Sequence, residues 1–383
     1  MNSLRWAAVF DAIVLPLLAL AGAVLLFGGF VWLGGTDPVE AWTLLFKGAF
    51  GDAFSWQNTL QRAAPLMLTA LCVAIPYQAG LMVIGGEGAL VWGGLACAGL
   101  PYLFAPPAGA WGTVAVLMAG AAAGACWMAL AGLLRQYRGV NETISSLLMG
   151  YLAIGLFKHF VEGPMRDPES LNKPSTLPLT TDIQLGLIPG YEVHWGLVIG
   201  AVACIAAGLW LYGSTHGFAT RVVGGNARAA RLVGLPSHRL VITACALGGA
   251  GAGLAGGIEV AAVHTAANAS LIVGLGYTGI LVSFVARHNP VAVIPVAILF
   301  GGFGAAGSLL QRRLDLPDAS VLVLQGFAFV LILASDAMRG KLGDWLNWRA
   351  SRAPEAVVHE TSRQRLARER AEQSAQAPRR EAA

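Results

Sequence analysis

The sequence predicts an all-α polytopic membrane protein with about ten transmembrane helices, a broken or re-entrant helix near residues 80–94, and both termini in the cytoplasm. Of its 383 residues, 56% are hydrophobic and only 12% are charged, whereas about 25% are charged in a typical soluble domain. The mean hydropathy is +0.63. The 49 glycines have no collagen period and fall largely in apolar runs, which is typical of closely packed membrane helices. This composition excludes a disordered chain and argues against a soluble globular one.

Ten apolar stretches are long enough to be spans, because a bilayer core of about 30 Å requires roughly 20 helical residues. Helices are favoured because they satisfy their backbone polar groups within the segment. The predicted spans are 9–33, 63–79, 81–104, 108–134, 144–160, 194–212, 239–262, 270–286, 290–310 and 320–338. The first stretch has an alternative interpretation as a signal peptide, with Arg5 and a small-residue patch at Ala19–Ala21. We favour an uncleaved span, since the apolar run continues to Leu33, beyond a signal-peptide core.

These spans define one membrane domain, 1–338, followed by a polar tail, 339–383. The tail holds ten Lys/Arg against six Asp/Glu and is predicted to be cytoplasmic. Within the membrane domain, 161–193 is proline-rich with little helical period and is predicted to be a long outer loop. The segment 213–238 is predicted to be the largest inner loop.

The orientation follows from the positive-inside rule. With the N-terminus in the cytoplasm, the inward loops are 135–143, 213–238 and 287–289. Their basic residues, with the boundary residue Arg239, are Arg135, Arg138, Arg221, Arg228, Arg231, Arg239 and Arg287. One acid, Glu142, accompanies them. Arg312 and Arg313 go against the rule, so the topology of the last three spans stays open.

Motifs for catalysis or nucleotide binding are absent from the sequence. No G-x-x-x-x-G-K-[ST] phosphate loop, HExxH or GxSxG is present, so the chain is predicted not to be an enzyme. The histidines are scattered and the five cysteines form no CxxC pair, so no metal or other cofactor is expected. The arginines lie between apolar runs without interleaved aromatics, which argues against a nucleic-acid partner.

Glu87 is the acid most deeply placed in an apolar run, within GLMVIGGEGALVWGG. A carboxylate in hydrocarbon is costly, so it must face water, a cavity or a partner. One interpretation is a pathway or gating role, with Gly86 and Gly88 loosening the helix. The other is a buried carboxylate that accepts hydrogen bonds from a neighbouring broken helix. Glu259 and Asp336 are weaker candidates, placed near the membrane interfaces.

The large inner loop contains ARAARLVG, which predicts a short amphipathic helix bounded by Gly224–Gly225 and by Gly234 and Pro236. Such a helix is either part of a loop that only sets topology or a docking element for a cytoplasmic partner. A transport protein that does not hydrolyse ATP itself needs such a docking element to receive force from a separate ATPase.

Five segments, taken in order, resemble the permease subunits of ATP-binding cassette (ABC) importers of the ribose and nucleoside (simple-sugar) class. They are GLMVIGGEGALVWGG (80–94), GVNETISSLLMGYLA (139–153), EGPMRDPESLNKPSTLP (162–178), RVVGGNARAARLVGL (221–235) and GYTGILVSFVARHNPVAVIPVAILFGGFGAAG (276–307). The proline-rich segment 162–178 resembles the nucleoside branch in particular.

The resemblance implies a permease in the bacterial inner membrane that acts with cytoplasmic ATPase subunits, a second related permease and a basic-membrane-lipoprotein-type binding protein. It also implies that Asn141 belongs with Glu87 to the substrate pathway or gate. The coupling residues for the ATPase would be Arg221, Gly225, Asn226, Ala230, Arg231 and Gly234.

The solute itself stays open. Val83–Ile84, Ala89 and Gly150 stand where the family pattern has polar or different residues, so its ligand contacts do not transfer directly. The low charge of the body favours a neutral polar solute such as a nucleoside, purine or sugar. The alternative function is a proton-coupled secondary transporter with Glu87 as the titrating group.

Overall fold

The computed structural model describes residues 2–170, 172–317 and 319–338, together with Ala367 and Arg370. The chain divides into a main unit, 21–330, and a smaller unit formed by 1–20 and 331–383. In the smaller unit, residues 2–20 and 331–338 are helical, and the Ser335 hydroxyl donates to the Ile332 carbonyl at 2.8 Å. Apart from Ala367 and Arg370, the tail predicted at 339–383 lies outside the described residues.

The regular secondary structure of the described residues is helical, which confirms the all-α class, while the count of about ten spans and the cytoplasmic termini stay predictions. The α-helices are α1 (Asn2–Leu33), α2 (Pro38–Phe50), α3 (Ala53–Gln78), α4 (Gly86–Leu103), α5 (Ala110–Arg138), α6 (Glu142–Glu162), α7 (Gly196–Gly213), α8 (Thr215–Gly225), α9 (Ala227–Leu232), α10 (Ser237–Ile258), α11 (Leu275–Val285), α12 (Pro290–Leu314) and α13 (Ser320–Met338). A π-helical turn, Glu259–His264, continues α10, and a 3₁₀ turn, Ala269–Leu271, precedes α11. In the described parts, strand-like pairing is limited to two isolated bridges, Ser175–Asn268 and Leu187–His194.

Six of these helices are long and apolar enough to cross a membrane by themselves, which supports a polytopic protein. They are α3, α5, α6, α7, α10 with its π-helical turn, and α12. Shorter apolar helices lie at Leu17–Leu33, Ala269–Val285 and Ser320–Ser335.

Helix α3 is the central element of the main unit, and α7, α10, α11 and α12 pack around it. Its side chains are buried almost without interruption from Ala63 to Pro76. At its N-terminus, Asp52 accepts a hydrogen bond from the Ser55 amide at 2.7 Å. This cap explains why α3 begins about ten residues before the predicted span 63–79, since the polar residues of its first turns made them resemble a loop.

The interface of α4, α5 and α10 is built from glycines. A Cβ placed on Gly93 or Gly124 would overlap the backbone of α10, and one on Gly256 would overlap the Leu90 carbonyl of α4. The three backbones therefore touch, which is the small-residue packing expected of membrane helices.

The structure corrects the predicted boundaries in two further places. Helix α2 was not predicted, and it packs Gly48 against Ala306 of α12. The predicted span 270–286 is not one continuous helix, because the chain is irregular between the 3₁₀ turn and α11. Gly274 has a left-handed backbone (φ +83°) and forms the N-cap of α11.

Candidate functional site

The break expected near residues 80–94 lies at 79–85, between α3 and α4, and we call this segment the α3–α4 connection. Leu81 and Val83 are buried in it although it is not helical. A buried non-helical backbone needs hydrogen-bond partners, and α6 supplies two of them. The Thr143 hydroxyl donates to the Met82 carbonyl at 2.8 Å. The Ile84 amide donates to the Ser146 hydroxyl at 3.1 Å.

Asn141 caps the N-terminus of α6, the helix whose side chains bond the α3–α4 connection. Its side-chain oxygen accepts hydrogen bonds from the Thr143 amide at 3.0 Å and the Ile144 amide at 3.1 Å, which is an N-cap. The side chain is exposed. The structure thus places Asn141 as a cap that orients the residues holding the α3–α4 connection.

Glu87 lies in the first turn of α4 and is only 1% exposed. Its Oε1 accepts a hydrogen bond from the Gly274 amide at 2.9 Å, and its Oε2 accepts one from the Gly276 amide at 2.6 Å. Both amides belong to the N-terminal end of α11, where helices leave amides without internal partners. Glu87 therefore ties the start of α4 to the start of α11. These are the bonds from a neighbouring broken helix that one interpretation predicted, donated by a segment 187 residues away along the chain.

The two glycines predicted beside Glu87 differ in their surroundings. A Cβ on Gly88 would lie 2.5 Å from the Gly150 Cα of α6, so Gly88 allows α4 and α6 to touch. A Cβ on Gly86 would meet its nearest atom, the Cys72 sulfur, at 3.7 Å, which is ordinary contact.

The other end of α11 is held by His288, in the turn before α12. Its ring stacks on Tyr77 with centroids 3.6 Å apart, and its Nδ1 lies 2.9 Å from the Ser283 hydroxyl. The Gln78 side chain donates to the His288 carbonyl at 3.1 Å. Burial lowers the pKa of His288 to about 4, so the ring is neutral near pH 7. Sequence reasoning missed this clamp between the end of α3 and the α11–α12 turn.

Residues 221–235, which we call the coupling segment, form the end of α8, all of α9 and the turn that follows. The helix predicted over ARAARLVG is confirmed as α9. Asn226 caps it by accepting from the Arg228 and Ala229 amides, both at 3.0 Å. Ala230 is fully buried, and Gly234 ends the helix with a left-handed backbone (φ +81°).

The tip of the coupling segment is both basic and apolar on its outside. Arg228 and Arg231 are exposed, while Leu232 and Val233 are 89% and 73% exposed. Arg221 lies further back and packs its guanidinium over the Tyr212 ring at 5.1 Å, a cation–π contact. An apolar pair rimmed by arginines has the composition of a protein contact surface.

The coupling segment rests on the end of α3 through Gly224, a contact that the sequence did not predict. A Cβ on Gly224 would overlap the Gln78 carbonyl oxygen and lie 2.9 Å from the Gly80 amide. A Cβ on Gly225 would meet nothing within 4 Å. The three loops predicted to face inward therefore meet around the α3–α4 connection, at one end of the main unit.

The chain is similar in sequence to known transport permeases. Residues 55–333 match the family described as "Branched-chain amino acid transport system / permease component". The chain is 31% identical to the glucose ABC transporter permease protein of Haloferax volcanii over 88% of this chain and 92% of that one. It is 26% identical to the guanosine ABC transporter permease protein NupP of Bacillus subtilis, over 86% of this chain and 96% of that one. It is 27% identical to the nucleoside ABC transporter permease protein NupB of Lactococcus lactis, over 75% and 82%.

The chain belongs to this family of transport-system permease components. It is a multi-pass subunit of an ABC importer in the bacterial inner membrane.

Proposed function

We propose that this permease moves a neutral hydroxylated solute, a nucleoside or a simple sugar, in a complex powered by separate ATPase subunits. The observation that carries the solute class is the pair of substrates named for its relatives. Glucose and guanosine are both uncharged, and the chemical feature that they share is a ring that bears hydroxyl groups. The balanced charge of the chain before residue 339 suits such a solute.

The finer architecture follows from the same proposal. The chain spans the membrane ten times, with both termini and the coupling segment in the cytoplasm. The outer loop 161–193 faces a substrate-binding lipoprotein of the basic-membrane-lipoprotein type. A second, distinct permease completes the pathway. Two guanosine ABC transporter permease proteins of Bacillus subtilis, NupP and NupQ, both match this chain, which supports a paired arrangement.

A chain of direct contacts suggests how force reaches the membrane. The exposed tip of α9 docks on an ATPase, and α8 rests on Gln78 through Gly224. Gln78 also holds His288, and the turn containing His288 ends α11. At its far end α11 is bound by Glu87. A shift of the coupling segment would therefore act on one end of α11, at the turn containing His288, while Glu87 holds the other end, so that α11 moves as a short rigid element.

Reconstitution tests the function. The complete complex in proteoliposomes is expected to accumulate guanosine or glucose only when ATP is supplied, and this chain alone is expected to accumulate neither. The chain lacks a phosphate-binding loop of its own, which is the physical reason for the second expectation. Uptake by the chain alone, driven by a proton gradient and abolished by an uncoupler, would replace this proposal with the secondary transporter that uses Glu87.

Two glycine substitutions test the proposed route from the coupling segment to the membrane. A Gly224→Ala substitution is expected to lower solute uptake per ATP hydrolysed by about tenfold or more, because the new methyl group must displace α8 from the end of α3. Gly213→Ala at the end of α7 is the matched control, since its Cβ meets nothing within 4 Å and it is not among the predicted coupling residues. The ratio of uptake to hydrolysis is measured in complexes of verified composition. Equal ratios for the two variants would contradict the proposed route.

A further inference from the structure

Among the described residues of the main unit, two acids are buried, and they differ in how their carboxylates are satisfied. Glu87 has an amide donor on each oxygen. Glu259 is 9% exposed, and among the described residues no hydrogen bond ends on its carboxylate. Its neighbour is His264, whose Nε2 lies 3.6 Å from Oε2, beyond hydrogen-bond distance. Glu259 thus keeps acceptor capacity that the protein does not use.

The pair stands on an unusual backbone. Glu259 and His264 begin and end the single π-helical turn, whose five-residue spacing places the two side chains one above the other. The turn stops at Thr265, which has a left-handed backbone (φ +57°) although it is not glycine. Such a conformation costs free energy, and it is concentrated at functional sites, as are π-helical turns.

Two cations lie close to the pair. Arg62 of α3 interacts electrostatically with Glu259, and Lys173 of the outer loop does so with His264. The Lys173 ammonium also donates to the Ser270 hydroxyl. Lys173 therefore links the outer loop to the residues that follow the π-helical turn.

The outer loop is bonded directly to the turn that carries the pair. The Leu179 amide donates to the Thr265 carbonyl at 2.7 Å, and the Leu185 amide donates to the Ala261 carbonyl at 2.9 Å. These bonds fix the loop beside the π-helical turn. The side chains of Glu259 and His264 remain 12% and 24% exposed there.

We propose that Glu259 and His264 form a solute subsite that binds two neighbouring hydroxyl groups of a ribose or hexose ring. A carboxylate accepts two O–H donors at once, and an imidazole provides a further donor or acceptor beside it. Nucleosides and sugars both carry such hydroxyl groups, and the subsite would not contact the base of a nucleoside. This suits a chain whose relatives are named for glucose and for guanosine. The inference rests on the proposed function and adds the recognition site to it.

The experiment compares uptake of a hydroxylated probe with its deoxy analogue in the complete complex. The probes are guanosine and 2′,3′-dideoxyguanosine, or glucose and 2-deoxyglucose if the wild-type complex accumulates only glucose. In Glu259→Gln the preference for the hydroxylated probe is expected to fall about tenfold, because a charge-assisted acceptor is lost. Assembly of the complex is verified for each variant before the uptake ratios are compared. The binding protein is the same in every arm, so its own selectivity cancels between variants.

Two more variants make the result decisive. His264→Asn removes the other half of the subsite and is expected to lower the same ratio, so it decides the matter if Glu259→Gln does not assemble. Glu40→Gln changes an exposed carboxylate of α2 and is expected to leave the ratio unchanged. A ratio that stays at the wild-type value in both subsite variants, or uptake of the two probes that falls in parallel, overturns the subsite. A wild-type complex that accumulates neither solute overturns the proposed function itself.

Discussion

Gly256→Ala is expected to prevent the permease from accumulating in the membrane in folded form. The Cβ of alanine would overlap the Leu90 carbonyl of α4 and lie 2.8 Å from the Gly94 amide. Both neighbours are backbone atoms, so no side-chain rotation relieves the overlap and the two helices must separate. Overpacking a well-packed core costs about 1–3 kcal/mol even where side chains can move, and we expect this substitution to cost more. The yield of detergent-extracted monodisperse protein and its thermal unfolding measure the effect.

The matched control for this prediction is Gly155→Ala in α6. Its Cβ would meet nothing within 4 Å, and alanine is favoured over glycine in a helix interior by roughly 0.5–1 kcal/mol. The same chemical change should therefore leave yield and unfolding temperature equal or slightly raised. If both variants behave alike, the backbone contact between α4 and α10 does not hold the bundle together.

The elements that the sequence predicted well are those encoded locally. Apolar runs of about 20 residues predicted the all-helical membrane fold, because the span length is fixed by the bilayer and does not depend on the partner of each helix. The short helix α9 was also predicted from local signals, because the glycines that flank it are its neighbours in sequence. Its cap, Asn226, is equally local.

The contacts that the sequence did not predict join residues far apart in the chain. Nothing in the sequence near Glu87 indicates that its donors are Gly274 and Gly276, because an orphan amide at a helix start is invisible without the helix boundary. The same holds for the stacking of His288 on Tyr77. Hydrophobic runs determine which segments are helices, but many pairings of those helices bury similar apolar area.

The adjacent glycines of the coupling segment show the limit most clearly. The resemblance singled out Gly225 as a coupling residue, which stays a prediction, and nothing in the sequence indicated that Gly224 makes the close contact with α3. In a helix, neighbouring residues point about 100° apart, so only the position of α3 decides which glycine faces a backbone. A residue that sequence reasoning did rank correctly as unusual is Glu87, since a carboxylate in an apolar run demands a partner wherever the helices pack.

Replacing Glu87 is expected to weaken the folded permease in proportion to the acceptors removed. Glu87→Gln exchanges one carboxylate oxygen for an NH₂ group that cannot accept a hydrogen bond, which leaves either the Gly274 or the Gly276 amide without a partner. A buried unsatisfied amide costs about 1–3 kcal/mol. Glu87→Ala removes both acceptors and also leaves a cavity, so its unfolding temperature should fall further than that of Glu87→Gln.

The measurement that separates structure from transport is uptake per folded molecule. Glu162→Gln, which neutralises an exposed carboxylate at the end of α6, is the control and should unfold at the wild-type temperature. If Glu87 acts by fixing α11, then Glu87→Gln lowers the unfolding temperature, and uptake falls because α11 is no longer held at both ends. If Glu87→Gln unfolds like the wild type yet loses uptake, the carboxylate acts directly on solute or protons and the anchoring role is wrong. The contrast is sharp because both carboxylate oxygens are already occupied by α11 amides, so a carboxylate that also served the solute would have to release α11 first.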